Sequence, residues 1–156
     1  MSKFERLALH LGAWLTGISG LGYGWLRYFK VVQGEFGPEP HPLQGVLQHA
    51  HVLAAPLLLF ALGMMVRGHF AVKLRVPSRE GRRTGWGLAL LILPMVAAGY
   101  GVQVVTDPRW RTGLAWVHGI ASCLFLVAYL GHGLRFWWQA RRGEAAAAPP
   151  VAAGWE

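Results

Sequence analysis

The sequence predicts an all-α integral membrane protein, folded as a bundle of four transmembrane helices. Hydrophobic residues make up 54% of the 156 positions and charged residues only 14%, which is too apolar for an ordinary soluble domain. The apolar residues fall into four segments, each near the ~20 residues that an α-helix needs to cross a bilayer. This length leaves no room for a separate catalytic domain of roughly 100–150 residues, so we expect the function to lie in the membrane part.

The first predicted helix covers residues 4–29 and begins and ends with basic residues. We interpret it as a retained anchor, because its apolar stretch is of spanning length and no small-residue cleavage site follows it. Its glycines favour close approach of a neighbouring helix or a flat ligand, and plain helix packing explains them equally well. The connector at 31–42 is rich in Gly and Pro and is predicted to be a loop.

The second predicted helix covers residues 43–67 and carries His49 and His51, with a kink expected at Pro56. His69 lies just beyond its end, at the start of a basic loop that runs to residue 84.

The third predicted helix, 85–105, holds neither histidine nor charge, and we expect it to serve packing. The fourth covers 112–138 and carries His118 and His132. Together the four helices define a membrane domain over residues 1–143, followed by an Ala- and Pro-rich tail, 144–156, that we expect to be flexible.

The basic residues predict the orientation. Placing both termini and the second loop on one side collects eleven Lys and Arg residues there, against four on the other. By the positive-inside rule, both termini are then cytoplasmic. The formal charge of +8 follows this membrane distribution, so nucleic acid is not expected as a partner.

Two histidines on the fourth helix organise the candidate site. Fourteen residues separate His118 from His132, so they share one helix face about 21 Å apart along the axis. With the predicted orientation, His118 matches the depth of His51 near the outer surface. His132 matches His10 near the cytoplasmic surface.

An imidazole in hydrocarbon is costly unless it is paired. Histidines on opposite helices at two matched depths therefore predict two stacked haems, each with two axial imidazoles. The outer haem takes His51 with His118, and the inner haem takes His10 with His132. The chain has one cysteine, Cys123, so the haems are expected to be non-covalent b-type groups.

Several assignments stay open at this point. His49 is the reserve ligand for the outer site and His69 for the inner, and His41 in the connector is expected to be solvated. For each histidine the alternative is a hydrogen bond between helices. Zinc is a weaker alternative, because no carboxylate or cysteine accompanies these histidines to complete a tetrahedral set.

The pattern resembles the four-helix dihaem b-type cytochromes, namely bacterial cytochrome b561 and the membrane gamma subunits of formate dehydrogenase and nickel–iron hydrogenase. The resemblance covers most of residues 4–140. It is carried by the positions of His10, His51, His118 and His132, together with Trp116 and the Leu93–Pro94 pair, which also look like family features.

The resemblance implies a multi-pass protein of the bacterial cytoplasmic membrane that carries electrons between the quinone pool and a redox partner protein. It further implies a subunit of a larger respiratory or photosynthetic complex, surrounded by membrane lipid. A quinone site is expected near the inner haem, where Arg6, Arg67 or Arg135 would pair with propionates or a quinone oxygen. Arg27, Arg109 and Arg111 are the corresponding candidates at the outer haem. For every one of these arginines, the alternative is the ordinary basic flank of a membrane helix.

Two other functions compete with an electron-transfer subunit. One is a stand-alone quinol-linked oxidoreductase that acts on a small molecule such as superoxide or ferric iron. The other is a haem-free membrane anchor or assembly subunit whose histidines only pack.

Overall fold

The structure is a computed structural model that describes residues 2–66, 70–71 and 82–147. In this part of the chain it is helical apart from one short hairpin. The elements, in chain order, are α1 (Lys3–Phe29), β1 (Val31–Gly34), β2 (Gly37–Pro40), α2 (Leu43–Met65), α3 (Arg82–Val104) and α4 (Pro108–Ala147). The all-α prediction is thus confirmed, and the helices lie close to the predicted segments.

Helix α1 begins at a capping box. The Ser2 hydroxyl accepts a hydrogen bond from the Glu5 amide at 3.1 Å, and the Glu5 carboxylate accepts one from the Ser2 amide at 2.8 Å. Each bond satisfies a backbone amide that would otherwise lack a partner at the start of a helix. The helix then runs for 27 residues.

The connector after α1 differs from the predicted loop, because it forms an antiparallel hairpin in which Val31 pairs with Pro40 and Gly34 with Gly37. Gly37 closes the turn with a φ of +122°, a conformation that glycine adopts without strain. Prolines favour a loop, yet they are tolerated in an edge strand that needs few amide donors.

Helix α4 is longer than the predicted 112–138. It spans 40 residues, or about 60 Å, and it begins four residues earlier because Asp107 caps it. The Asp107 carboxylate accepts hydrogen bonds from the amides of Arg109 and Trp110 at 2.9 and 3.0 Å, and Pro108 occupies the first helical position, which needs no amide donor. The predicted short outer turn thus belongs largely to the helix.

The helices form two pairs, which are described separately. In the first, α1 packs against α2, and in the second, α3 packs against α4. The two backbones of the first pair approach closely at Gly12, where a Cβ would lie 2.9 Å from the Leu58 Cα. Most of the other buried residues are also small, so the helices of a pair lie close together: Ala13, Ser19, Ala54 and Ala61 in the first pair, Ala98 and Ala121 in the second.

Three of the helices, α2, α3 and α4, are long and apolar enough to cross a membrane. Helix α1 is equally long, but five glycines and the polar residues His10, Thr16 and Ser19 lower its hydropathy. Apolar side chains along the three spans are widely exposed; Leu53, Leu90 and Val127 expose 74%, 70% and 70% of their surface. Such helices are compatible with contact to lipid. The basic loop and the final residues of the tail lie largely outside the described residues.

Candidate histidine sites in the two helix pairs

His51 of α2 lies against α1 and is hydrogen-bonded to its backbone. Its Nδ1 is 2.9 Å from the carbonyl oxygen of Thr16. A carbonyl oxygen can only accept, so the imidazole must donate and its proton must lie on Nδ1. In the neutral ring, the lone pair is then on Nε2. This is the tautomer that coordinates a metal through Nε2.

A glycine makes this position of the ring possible. A Cβ added to Gly20 would lie 2.8 Å from Nδ1 and 2.7 Å from Cε1 of His51. Gly20 follows Thr16 by one helical turn, so the carbonyl and the glycine face the same way. The Nδ1 edge of the half-buried ring therefore lies against both the Thr16 carbonyl and the bare backbone at Gly20.

His118 of α4 is held in the same manner by α3. Its Nδ1 is 2.8 Å from the carbonyl oxygen of Met95, and again the ring must be the donor. A Cβ on Gly99, one turn beyond Met95, would lie 2.7 Å from Nδ1 and 2.8 Å from Cε1. The proton of this histidine is fixed on Nδ1 by a second backbone carbonyl.

His132 is held by a side chain instead of a carbonyl. Its Nδ1 is 2.8 Å from the hydroxyl of Thr84 on α3, and its ring meets Phe136 edge-on at 4.9 Å between centroids. A hydroxyl both donates and accepts, so this bond alone does not decide which nitrogen of His132 carries the proton.

The other histidines have different environments. His49 is exposed on α2, and His10 is exposed on α1. His41 has a local structural role, because its Nδ1 accepts a hydrogen bond from the Leu43 amide at 3.2 Å at the start of α2. His69 lies outside the described residues. Of the two candidates on α2, His51 is thus the one that contacts the neighbouring helix.

The candidate arginines lie at exposed positions. The Arg27 guanidinium donates a hydrogen bond to the Tyr23 hydroxyl at 3.3 Å, and Arg135 is exposed on α4. Arg6, Arg109 and Arg111 are also exposed, while Arg67 lies outside the described residues. Their pairing with propionates or a quinone stays a prediction.

Sequence reasoning missed the groups that hold the histidines. Backbone carbonyls carry no residue signature, and Thr84 was placed in a loop instead of on α3. The glycines were noticed, but as general packing residues. A usable signal was nevertheless present, because each of the two histidines is preceded by a leucine at −4 and followed by an alanine at +3.

Among the described residues, no group of three or more His, Cys, Asp and Glu side chains could hold a metal ion. A haem needs fewer ligands from the protein than a bare metal ion, because the porphyrin supplies four nitrogens and each axial position needs only one imidazole.

Comparisons of this chain with protein-family models, curated proteins and solved structures gave no match. The class of protein therefore follows from the structure alone: over residues 2–66, 70–71 and 82–147 it is an all-helical protein with three helices long and apolar enough to cross a membrane.

Proposed function

We propose that this protein is a dihaem b-type membrane cytochrome that carries electrons between the quinone pool and a redox partner protein. The observation that carries the proposal is the common state of His51 and His118. Both rings donate their Nδ1 proton to a backbone carbonyl of a neighbouring helix, at 2.9 and 2.8 Å.

That state is typical of histidines that ligate a metal. A ligating imidazole almost always donates its other ring N–H to a carbonyl, carboxylate or water, which fixes the tautomer and raises the basicity of the ligand. A histidine that only joined two helices through a backbone carbonyl would need the same tautomer, so the haem content of the purified protein separates the two roles. Two such residues, on two apolar helices, favour a shared ligand role over unrelated packing.

The ligand assignment retains the depth argument made from the sequence. His51 and His118 serve the outer haem, and His10 and His132 serve the inner one, with α1 as the fourth transmembrane helix and both termini cytoplasmic. Bound haem would supply one-electron transfer through its iron. The protein's part is to hold the imidazoles, exclude water and set the potential through hydrogen bonds such as that of Thr84.

The electron donor and acceptor follow from the family resemblance. We propose a quinone site beside the inner haem, close to Arg6 and Arg135, whose guanidinium groups suit a quinone oxygen or a propionate. Arg27 is the candidate at the outer haem. The partner is proposed to be a cytochrome or dehydrogenase subunit of a respiratory or photosynthetic complex in the bacterial cytoplasmic membrane.

The test is the visible spectrum and haem content of the purified protein. We expect reduced b-type bands after dithionite and two haems per chain by pyridine haemochrome. If these bands were absent from protein produced with ample haem, a haem-free anchor would be the better interpretation. Quinol should also reduce the haems; rapid turnover of superoxide or ferric iron without any partner would favour the stand-alone oxidoreductase.

A further inference from the structure

The two helix pairs repeat one another around His51 and His118. In each pair, the first helix presents a carbonyl and, four residues later, a glycine, and the second helix places its histidine on both. The distances from the glycine to the ring agree as well, with 2.7 and 2.8 Å for the two nearest ring atoms in each pair.

The repeat extends towards the C-terminal end of the first helix in each pair. A second glycine lies two residues after the first, and it faces the leucine that lies four residues before the histidine. A Cβ on Gly22 would lie 3.0 Å from the Leu47 Cδ1, and a Cβ on Gly101 would lie 2.9 Å from the Leu114 Cδ1.

The repeat also extends in the other direction. Three residues after each histidine is a buried alanine, and seven residues after it is a larger buried residue: Ala54 and Leu58 in the first pair, Ala121 and Phe125 in the second. The residue immediately before the first glycine is small and buried in both pairs, as Ser19 and Ala98. The same side-chain sizes thus recur at the same places on both helices.

We propose that Gly20 and Gly99 are positioning residues of two equivalent sites, each of which orients one histidine and fixes its tautomer before any cofactor binds. The first positioning site consists of Gly20 and the Thr16 carbonyl, and the second of Gly99 and the Met95 carbonyl. Each is built from atoms of one helix pair, so each forms without the other. The role of the histidines as haem ligands rests on the proposed function above; the positioning itself does not.

The repeat does not include the other two candidate ligands. The position fourteen residues after His51 is Met65, where the second pair has His132. The position ten residues before Gly99 is Ala89, where the first pair has His10. A duplicated helix pair therefore accounts for His51 and His118 only, and these two are the ligands proposed for one haem.

Two consequences distinguish this proposal from general helix packing. Alanine at either glycine should push the imidazole off its carbonyl, although the two glycines lie in different helix pairs. Both substitutions should then affect the same haem. Alanine at Gly22 or Gly101 is the matched control, because the new methyl group meets a flexible leucine end instead of an imidazole.

The experiment uses the full chain in lipid nanodiscs, labelled with 15N-histidine and produced without haem. Nitrogen chemical shifts report the tautomer of each ring, and His51→Asn and His118→Asn assign the signals. We expect both histidines in the Nδ1–H form in wild type. Gly20→Ala should make that form the minor one at His51 only, Gly99→Ala at His118 only, and Gly22→Ala and Gly101→Ala should leave both unchanged.

Haem is then added, and its content is measured. Gly20→Ala and Gly99→Ala should each lower it from two per chain towards one, and the double variant should retain one. An Nε2–H form in wild type, or equal effects of Gly20→Ala and Gly22→Ala on the tautomer, would overturn the positioning proposal. Retention of the predicted tautomers by a wild type that takes up no haem would overturn the proposed function and leave the positioning sites standing.

Discussion

If His132 ligates the proposed inner haem, removal of the Thr84 hydroxyl should loosen that haem and raise its midpoint potential. In Thr84→Val the side chain keeps its shape and loses the group that lies 2.8 Å from the His132 Nδ1. When the hydroxyl accepts this proton, the imidazole is a stronger base and stabilises the ferric iron. Without that bond, the ferric form of the haem loses more stability than the ferrous form, so the midpoint potential should rise.

The size of the effect follows from the kind of bond that is lost. Loss of a hydrogen bond to a ligating residue typically costs 10–100-fold in metal affinity, or roughly 1.4–2.7 kcal/mol. We expect the loss of haem affinity to be roughly three- to tenfold larger for the ferric than for the ferrous form. Because the iron changes by one electron, this difference in affinity corresponds to an upward shift of roughly 30–60 mV in the midpoint potential. The outer haem should keep its potential.

The assay is a spectroscopic redox titration of the purified variant, with haem content measured alongside. Thr112→Val is the matched control, since the Thr112 hydroxyl donates to the Pro108 carbonyl of its own helix at 2.8 Å. If Thr84→Val and Thr112→Val gave the same two potentials and the same haem content, the role assigned to Thr84 would be refuted.

Three further predictions concern other positions. Gly12→Ala should destabilise the first helix pair by about 1–3 kcal/mol, because its Cβ would meet the Leu58 backbone at 2.9 Å. Gly24→Ala is the control, because its Cβ meets nothing within 4 Å. The thermal midpoint of Gly12→Ala should be the lower of the two. His49→Ala should retain wild-type haem content, because His51 is the proposed ligand on α2 and is the one hydrogen-bonded to the Thr16 carbonyl, and loss of a haem would make His49 a ligand candidate again. His118→Ala should lower pyridine haemochrome from two haems per chain to one, and two full haems would disprove the outer site.

The sequence was a good guide to the helices because their signals are local. Long apolar segments predict spans, and the helical segments were predicted to within a few residues at most ends. Two of the exceptions have identifiable physical causes. Asp107 and Pro108 form a helix start that moved α4 into a predicted turn, and Gly37 closed a hairpin where prolines suggested a loop.

The site was harder to predict because its geometry depends on contacts between helices. A phase argument cannot choose between His49 and His51 on a helix with an internal proline. The structure shows His51 hydrogen-bonded to the Thr16 carbonyl and His49 exposed, which favours His51, and the choice of ligand stays a prediction. Gly20 and Gly99 are separated by about half of the chain, so the common role proposed for them emerges only once each is seen against an imidazole.

The two kinds of hydrogen-bond partner of these histidines differ in how they respond to mutation. Thr84 offers a side-chain oxygen, which a single base change can remove. Thr16 and Met95 offer main-chain oxygens, which every amino acid possesses, and their unlike side chains illustrate that freedom. Natural variation can therefore adjust the environment of His132 one residue at a time. The acceptors of His51 and His118 are instead backbone carbonyls of the helix. A comparison of sequences would therefore not reveal them.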